Sequence, residues 1–322
     1  MIDELYYSLD NGPEKFNLTN EGQMEQYLGV DIKRNTDGTF ELRQPYLIQR
    51  ILSLCKVDDA FKSRSTPAST PLLSKDPDGA PRKYDWNYRS AVGMLGYLQG
   101  STRPDISMAV HQCARFNNDP KMSHERAIMH ICRYLKDTSD RGVIYRPDES
   151  KGLECYVDAD FAGGWNLADA DSAENVLSRT GFVIMYAGCP VLWTSKLQTE
   201  IALSTTEAEY IALSQAMREV LPFMNLLKEL AVIFEIHLPQ PQVHCKVYED
   251  NNGCIAVAHS PKFTPRTKHI AIKYHHFRSF AIGPQKCLDI LPIDTREQTA
   301  DIFTKPLSPA LFVYLRGKLN GW

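Results

Sequence analysis

The second half of the chain sets strand and helix patterns in an order that narrows its architecture sharply. Runs rich in β-branched and aromatic residues at Leu153–Asp158, Thr180–Ala187 and Val191–Leu197 read as strands, the last two joined by Gly188-Cys189-Pro190. A long helical pattern runs from Thr206 to about Ala231. After it come a strand at His244–Tyr248, a short helix from Asn251, a basic helix over about 267–282, a strand at Cys287–Ile293 and a final helix after Arg296. The order βββ-α-β-α-α-β-α predicts an α/β unit with a mixed sheet flanked by helices. Its first strand ends in "YVDADF", which puts Asp158 and Asp160 at the close of an apolar run. Burying charge there is costly, so the carboxylates face either a divalent cation or solvent at a strand end.

The first half reads differently. "QYLGVDIKRNTDGTFELRQPYLIQRIL" predicts a strand around Tyr27–Lys33, a turn over 35–38, a strand at Thr39–Arg43 and a helix from about Pro45. Residues 65–86, rich in Pro, Ser, Gly and Asp, form an extended surface connection. From Tyr88 to Lys136 the period is helical, with Val92, Leu95 and Leu98 on one stripe and Ile128, Ile131, Tyr134 and Leu135 on another. Turn chemistry over 136–152 puts a boundary near 150. The 322 residues suffice for two cores. No apolar stretch approaches the ~18 residues that span a bilayer, and the N-terminus lacks a signal-peptide pattern, so the expectation is a cytoplasmic chain with no membrane partner. A net charge of −3 gives no global nucleic-acid signature and leaves such binding to a local patch. The eight cysteines are scattered with no CxxC pair, which argues against a disulfide framework or a zinc knuckle.

Four acids recur where an element starts or stops. Asp158 ends the first strand, Glu209 lies in "STTEAEYIAL" in the first turns of the long helix, Asp250 follows the strand "VHCKVYE", and Asp301 in "TREQTADIF" starts the last helix. Such positions can converge on one rim of a sheet, where hard cations want oxygen ligands. Each acid also has a purely structural reading, and those at helix N-termini would complement the dipole or cap free N–H groups. Ser204 and Glu207 make a capping box, which assigns Glu207 to structure. Spacing alone leaves these alternatives open.

The motifs "QYLGVDI", "YRSAVGMLGYL", "TRPDISMAV" and "HERAIMHICRYLKDT" in the first half resemble the end of the pol polyprotein of copia-type LTR retrotransposons. So do "YVDADFAG", "RTGFVIMYAGCPVLWTSKLQ", "STTEAEYIAL", "RTKHI" and "ADIFTKPL" in the second, and the likeness runs through nearly the whole chain. The resemblance implies three parts: a distal palm-like piece of a reverse transcriptase (1–64), a Pro-rich connection with a helical thumb (65–150), and a ribonuclease H domain (151–322). The fold it implies is a ribonuclease H-like mixed five-stranded sheet preceded by an α+β remnant of a reverse transcriptase. It further implies hydrolysis of the RNA strand of RNA–DNA hybrids with two Mg²⁺ ions, Mn²⁺ substituting. The metal ligands carried over are Asp158, Glu209, Asp250 and Asp301, with Asp158 and Asp250 as the main ones. The implied partners are the hybrid and the polymerase palm and fingers of the same polyprotein, and the implied setting is a virus-like particle.

Two departures limit the likeness. The polymerase "YVDD" hairpin is missing, "CKVDDAF" at 55–61 being a decoy at a helix end, so polymerisation by this chain alone is not expected. The His that many ribonucleases H carry about ten residues before the last Asp is also missing from "DILPIDTREQTAD". The basic stretch "KFTPRTKHIAIKYHHFR" holds Arg266, Lys268, His269, Lys273, His276 and Arg278. As a helix it puts Ile270, Tyr274, Phe277 and Ala281 on a packing face and leaves a rail for phosphates, or merely a solvated face. A zinc site from His269, His275 and His276 has no thiolate or carboxylate partner at suitable spacing. His111, His124 and His130 read as ordinary core or surface residues. Rival readings are a nucleic-acid clamp that no longer cuts and a decayed fragment of an element.

Overall fold

The computed structural model describes residues 24–165, 175–233, 243–260 and 274–322. Its first sheet is antiparallel throughout, in the order β1 (Gln26–Tyr27), β2 (Val30–Arg34), β3 (Phe40–Arg43) and β4 (Val143–Tyr145). The strand expected over Tyr27–Lys33 is two strands. Leu28 and Gly29 both take positive φ (48° and 74°) and turn the chain back on itself, a conformation glycine adopts at little cost. The expected turn over 35–38 forms, with Asp37 accepting from the Thr39 amide at 3.0 Å. Helix α1 (Pro45–Leu54) follows, and "CKVDDAF" comes after its end with no strand before it.

Helices α2 (Tyr88–Ser101), α3 (Ser107–Ala114) and α4 (Met122–Lys136) bury both stripes read from the sequence. The connection over 65–86 is held down rather than loose. Glu125 accepts from the Lys83 and Tyr84 amides, and the His124 and His130 rings bond to the Ser74 and Thr66 carbonyls, so irregular backbone is satisfied by buried side chains. Trp86 at its end is 5% exposed.

The second sheet is built from β5 (Leu153–Asp160), β6 (Arg179–Tyr186), β7 (Cys189–Leu197), β8 (Cys245–Glu249) and β9 (Leu288–Pro292), in the order β7-β6-β5-β8-β9. The first three are antiparallel neighbours, whereas β8 and β9 join parallel. Between β7 and β8 runs α5 (Thr205–Ile233), and α6 (Asn252–His259) and α7 (Arg278–Ile282) lie between β8 and β9. Side chains alternate across the sheet and serve two cores. Phe182 and Ile184 of β6 pack with α5, while Val183 and Met185 pack with α2–α4 and with the final helix α8 (Pro309–Asn320). Helix α8 is bolted to the first half by polar groups as well. Buried Asp105 pairs with Arg103 at 2.8 Å and accepts from Tyr134 (2.6 Å) and from Asn320 of α8 (3.0 Å). A buried carboxylate is tolerated only when its lone pairs are used in this way.

Two helix expectations need correction. Asp301 does not open the last helix. It sits in a separate 3₁₀ turn, Thr299–Phe303, capped by Gln298, and α8 starts only at Pro309. Pro306 explains this, since proline lacks an amide hydrogen and disfavours helix at the residue before it. The basic helix over 267–282 is not continuous within the described residues: the chain leaves helix over 275–277, and the α-helix begins at Arg278. The His275 ring bonds the Tyr210 hydroxyl at 2.7 Å and Phe277 packs on the Tyr210 ring, which fixes a turn ahead of α7. Tyr274, Phe277 and Ala281 are buried as read. All eight cysteines are buried free thiols, and among the described residues no helix is long and apolar enough to cross a membrane.

Candidate metal centre

Parallel pairing of β5 with β8 places the first two acids. Tyr156 lies opposite Tyr248, so two residues further on Asp158 and Asp250 leave the same end of the sheet side by side. Glu209 comes from α5, whose start is fixed by Ser204. The Ser204 hydroxyl accepts from the Glu207 amide at 3.1 Å, while Glu207 reaches back to the Leu203 amide at 2.8 Å. That confirms Glu207 as a cap and leaves Glu209 to point at the strand ends. Asp250 is no cap: Asn251 takes that role, accepting from the Cys254 amide at 3.0 Å. The Asp158, Glu209 and Asp250 carboxylates bring ligand atoms within 4.8 Å of one another.

Asp301 stands beside this trio. Its turn is docked by Gln298, whose Nε2 donates to the carbonyls of Val157 (2.8 Å) and Tyr248 (3.3 Å), clasping the two strands where they diverge. From the same turn the Thr304 hydroxyl donates to Asp158 Oδ2. Lys305 Nζ lies 2.9 Å from Asp301 Oδ1 and 3.5 Å from Asp158 Oδ2. Thr295 donates to Asp250 at 2.8 Å. Asp160, half-buried at the strand end, is outside the trio.

Crowded burial sets the electrostatics. Burial, then the charges of Glu249, Asp158 and Asp250, push the Glu209 carboxyl well above the carboxylate range. Asp158 is raised by burial against the opposing pull of Lys305 and Thr304. Burial and Asp158 lift Asp301 to about 7, and burial lifts the neighbouring Glu249 to about 8. Burial alone would lower Lys305, but Asp158 and Asp301 outweigh it and hold the ammonium charged.

The donor set fits a hard divalent cation. It is all carboxylate oxygen, without thiolate or imidazole, which suits Mg²⁺ or Mn²⁺. Glu209 Oε2 is buried with no hydrogen-bond partner in the protein, which leaves it available to a cation.

The chain is 31% identical over 316 residues to the retrovirus-related Pol polyprotein from transposon RE1 of Arabidopsis thaliana, covering 98% of this chain and 20% of that protein. It is 34% identical over 303 residues to the Pol polyprotein from transposon TNT 1-94 of Nicotiana tabacum, covering 91% and 21%. The chain belongs to the copia-type Pol polyproteins. This Pol chain spans about a fifth of the length of the curated relatives it matches. No family model matches it. Among solved structures, an RNase H1 isolated from compost is 16% identical with a TM-score of 0.34, covering 48% of this chain and 93% of that one. The second half of the chain has the mixed five-stranded sheet that the resemblance implied, three antiparallel strands extended by two parallel ones.

Of the carried-over residues, three converge and Asp301 joins them through Lys305. Of the phosphate-rail residues, Arg266, Lys268, His269 and Lys273 lie outside the described residues. His276 is exposed, with Nδ1 3.5 Å from Ser214 Oγ, and Arg278 is half-buried at the start of α7. Sequence reasoning missed Lys305, Thr304 and Gln298. Lys305 had a signal, since it follows Asp301 by four residues in "ADIFTKPL".

Proposed function

We propose that the Pol chain hydrolyses the RNA strand of RNA–DNA hybrids at Asp158, Glu209 and Asp250, with Mg²⁺ as cofactor and Mn²⁺ as substitute. The observation that carries this reading is the convergence of three carboxylates from three elements within 4.8 Å, one with an unpartnered buried oxygen. Bound there, divalent cations, two at full occupancy, would acidify a water and stabilise the leaving oxygen of a phosphodiester. The protein's part is orientation. Strand ends fix Asp158 and Asp250, the capped start of α5 fixes Glu209, and the hydroxyls of Thr304 and Thr295 hold two of the carboxylates in place. Asp301 completes the ligand shell from its docked turn. Arg266, Lys268, His269, Lys273, His276 and Arg278 supply phosphate contacts. We place the functional boundary near residue 150, with 1–64 and 65–150 as reverse-transcriptase-derived parts, and the work of the domain beside the rest of a Pol polyprotein in virus-like particles.

Asp158→Asn and Asp250→Asn test the reading, because each removes a charged ligand without changing shape. Both variants should fold, keep hybrid binding and lose Mg²⁺-dependent cleavage of a labelled RNA–DNA duplex. A wild-type protein that binds hybrid and never cuts it would instead leave a clamp.

A further inference from the structure

We propose that the Lys305 ammonium is a built-in cation standing in the second cation position of this centre, so that the carboxylates take one divalent ion readily and a second only by expelling Lys305. The inference rests on the metal-binding reading above and concerns how the site is loaded.

Three observations carry it. Asp158 belongs to two groupings, the trio with Glu209 and Asp250 and the pair of carboxylates bridged by Lys305. The ammonium between Asp158 and Asp301 is therefore where a cation sharing Asp158 with the trio would bind. Second, the carboxylates are fixed and the lysine is not. The Asp158 and Asp301 side chains are each 2% exposed and held by a strand end and a 3₁₀ turn, whereas Lys305 is 34% exposed on a flexible four-carbon stem. Only Lys305 has somewhere to go. Third, the charges balance one way at a time. Asp158, Glu209, Asp250 and Asp301 carry four negative charges when ionised. The ammonium with one divalent ion offsets three of them, two divalent ions offset four, and all three cations together would exceed four. Close like charges in a partly buried site repel strongly, so ammonium and second ion exclude each other.

Calorimetric Mn²⁺ titration of the wild-type chain, Lys305→Met and Lys305→Arg tests this. The wild type should bind one ion well and a second far more weakly. Lys305→Met should tighten the second binding by about tenfold or more, and Lys305→Arg, which keeps the charge, should behave as wild type. Identical stoichiometry and affinities in wild type and Lys305→Met overturn the proposal and leave the metal reading standing. Absence of Mn²⁺ binding to all three folded proteins overturns both. Should Lys305→Met fail to fold, reductive methylation of the wild type decides. Lys305 should be modified slowly in chelator and several-fold faster at Mn²⁺ concentrations that fill the second position, read by peptide mass spectrometry. Unchanged labelling across that range overturns the proposal.

Discussion

Glu207 and Glu209 lie two residues apart on one helix, both largely buried, yet their partners assign them opposite roles. Glu207 accepts a backbone amide and finishes a cap; Glu209 faces other carboxylates with one oxygen unpartnered. Glu207→Gln keeps an oxygen that can accept from the Leu203 amide, so it should cost less than the ~1 kcal/mol of a lost cap and leave hybrid cleavage close to wild type. Glu209→Gln should abolish Mg²⁺-dependent cleavage while raising metal-free stability, since it removes a buried carboxyl that burial and like charge disfavour. Urea unfolding in chelator and a cleavage assay measure the two effects. Equal loss of activity in both variants would show that the roles are assigned wrongly. The sequence could raise the capping question for Asp250 but could not settle it. Asn251 and Asp250 are both good N-caps, and only the helix start at Asn252 decides between them.

Among the elements, the short 3₁₀ turn carrying Asp301 leaves little room beneath it. It lies flat on β6 at Gly181, where an added β-carbon would come 2.6 Å from Thr304 Cγ2, 2.8 Å from Phe303 Cβ and 3.1 Å from the Ala300 carbonyl. Gly181→Ala should push the turn outward, at about 1–3 kcal/mol for overpacking, and weaken Mn²⁺ binding because Thr304 and Asp301 move with it. Stability lost with Mn²⁺ affinity unchanged would mean the turn does not shape the site. The strands of this sheet were legible because alternation and β-branched runs report them directly, and α5 because its caps and period agree. The turn was not, because its backbone is set by Gln298 reaching strands 141 and 50 residues away and by Pro306 cutting off the helix. A continuous basic helix was misread in its described part for a similar reason. The Tyr210–His275 bond is a tertiary contact that no local pattern encodes.

At the scale of the whole molecule, β5 and β6 are covered on both faces, by α5 on one and by α2–α4 with α8 on the other, so the strand end that carries Asp158 is held by both cores. The resemblance named the candidate site residues, three of which the fold brings together, but the packing of α8 into the first half through Asp105 and Asn320 was invisible in the sequence. A rigid acidic rim has a consequence for pH. Folded, Asp301 titrates at about 7 and Glu249 at about 8, both raised by burial, against about 4 for carboxyls in an unfolded chain. Between those limits the folded state holds protons that the unfolded state has released, so metal-free stability falls as pH rises and the benefit is gone above the folded values. His111, lowered to about 4 by burial and by the charges of Arg179 and Lys196, acts in the opposite sense only below about pH 6.5. The window from about pH 6.5 to about pH 8 therefore belongs to the carboxylates. In chelator the melting midpoint should decline across it. About 10 mM Mg²⁺ binds the ionised rim and should restore the midpoint strongly at the upper end and little at the lower. A midpoint that rises with pH in chelator, or that Mg²⁺ leaves unmoved near pH 8, would contradict a crowded carboxylate rim built to receive cations.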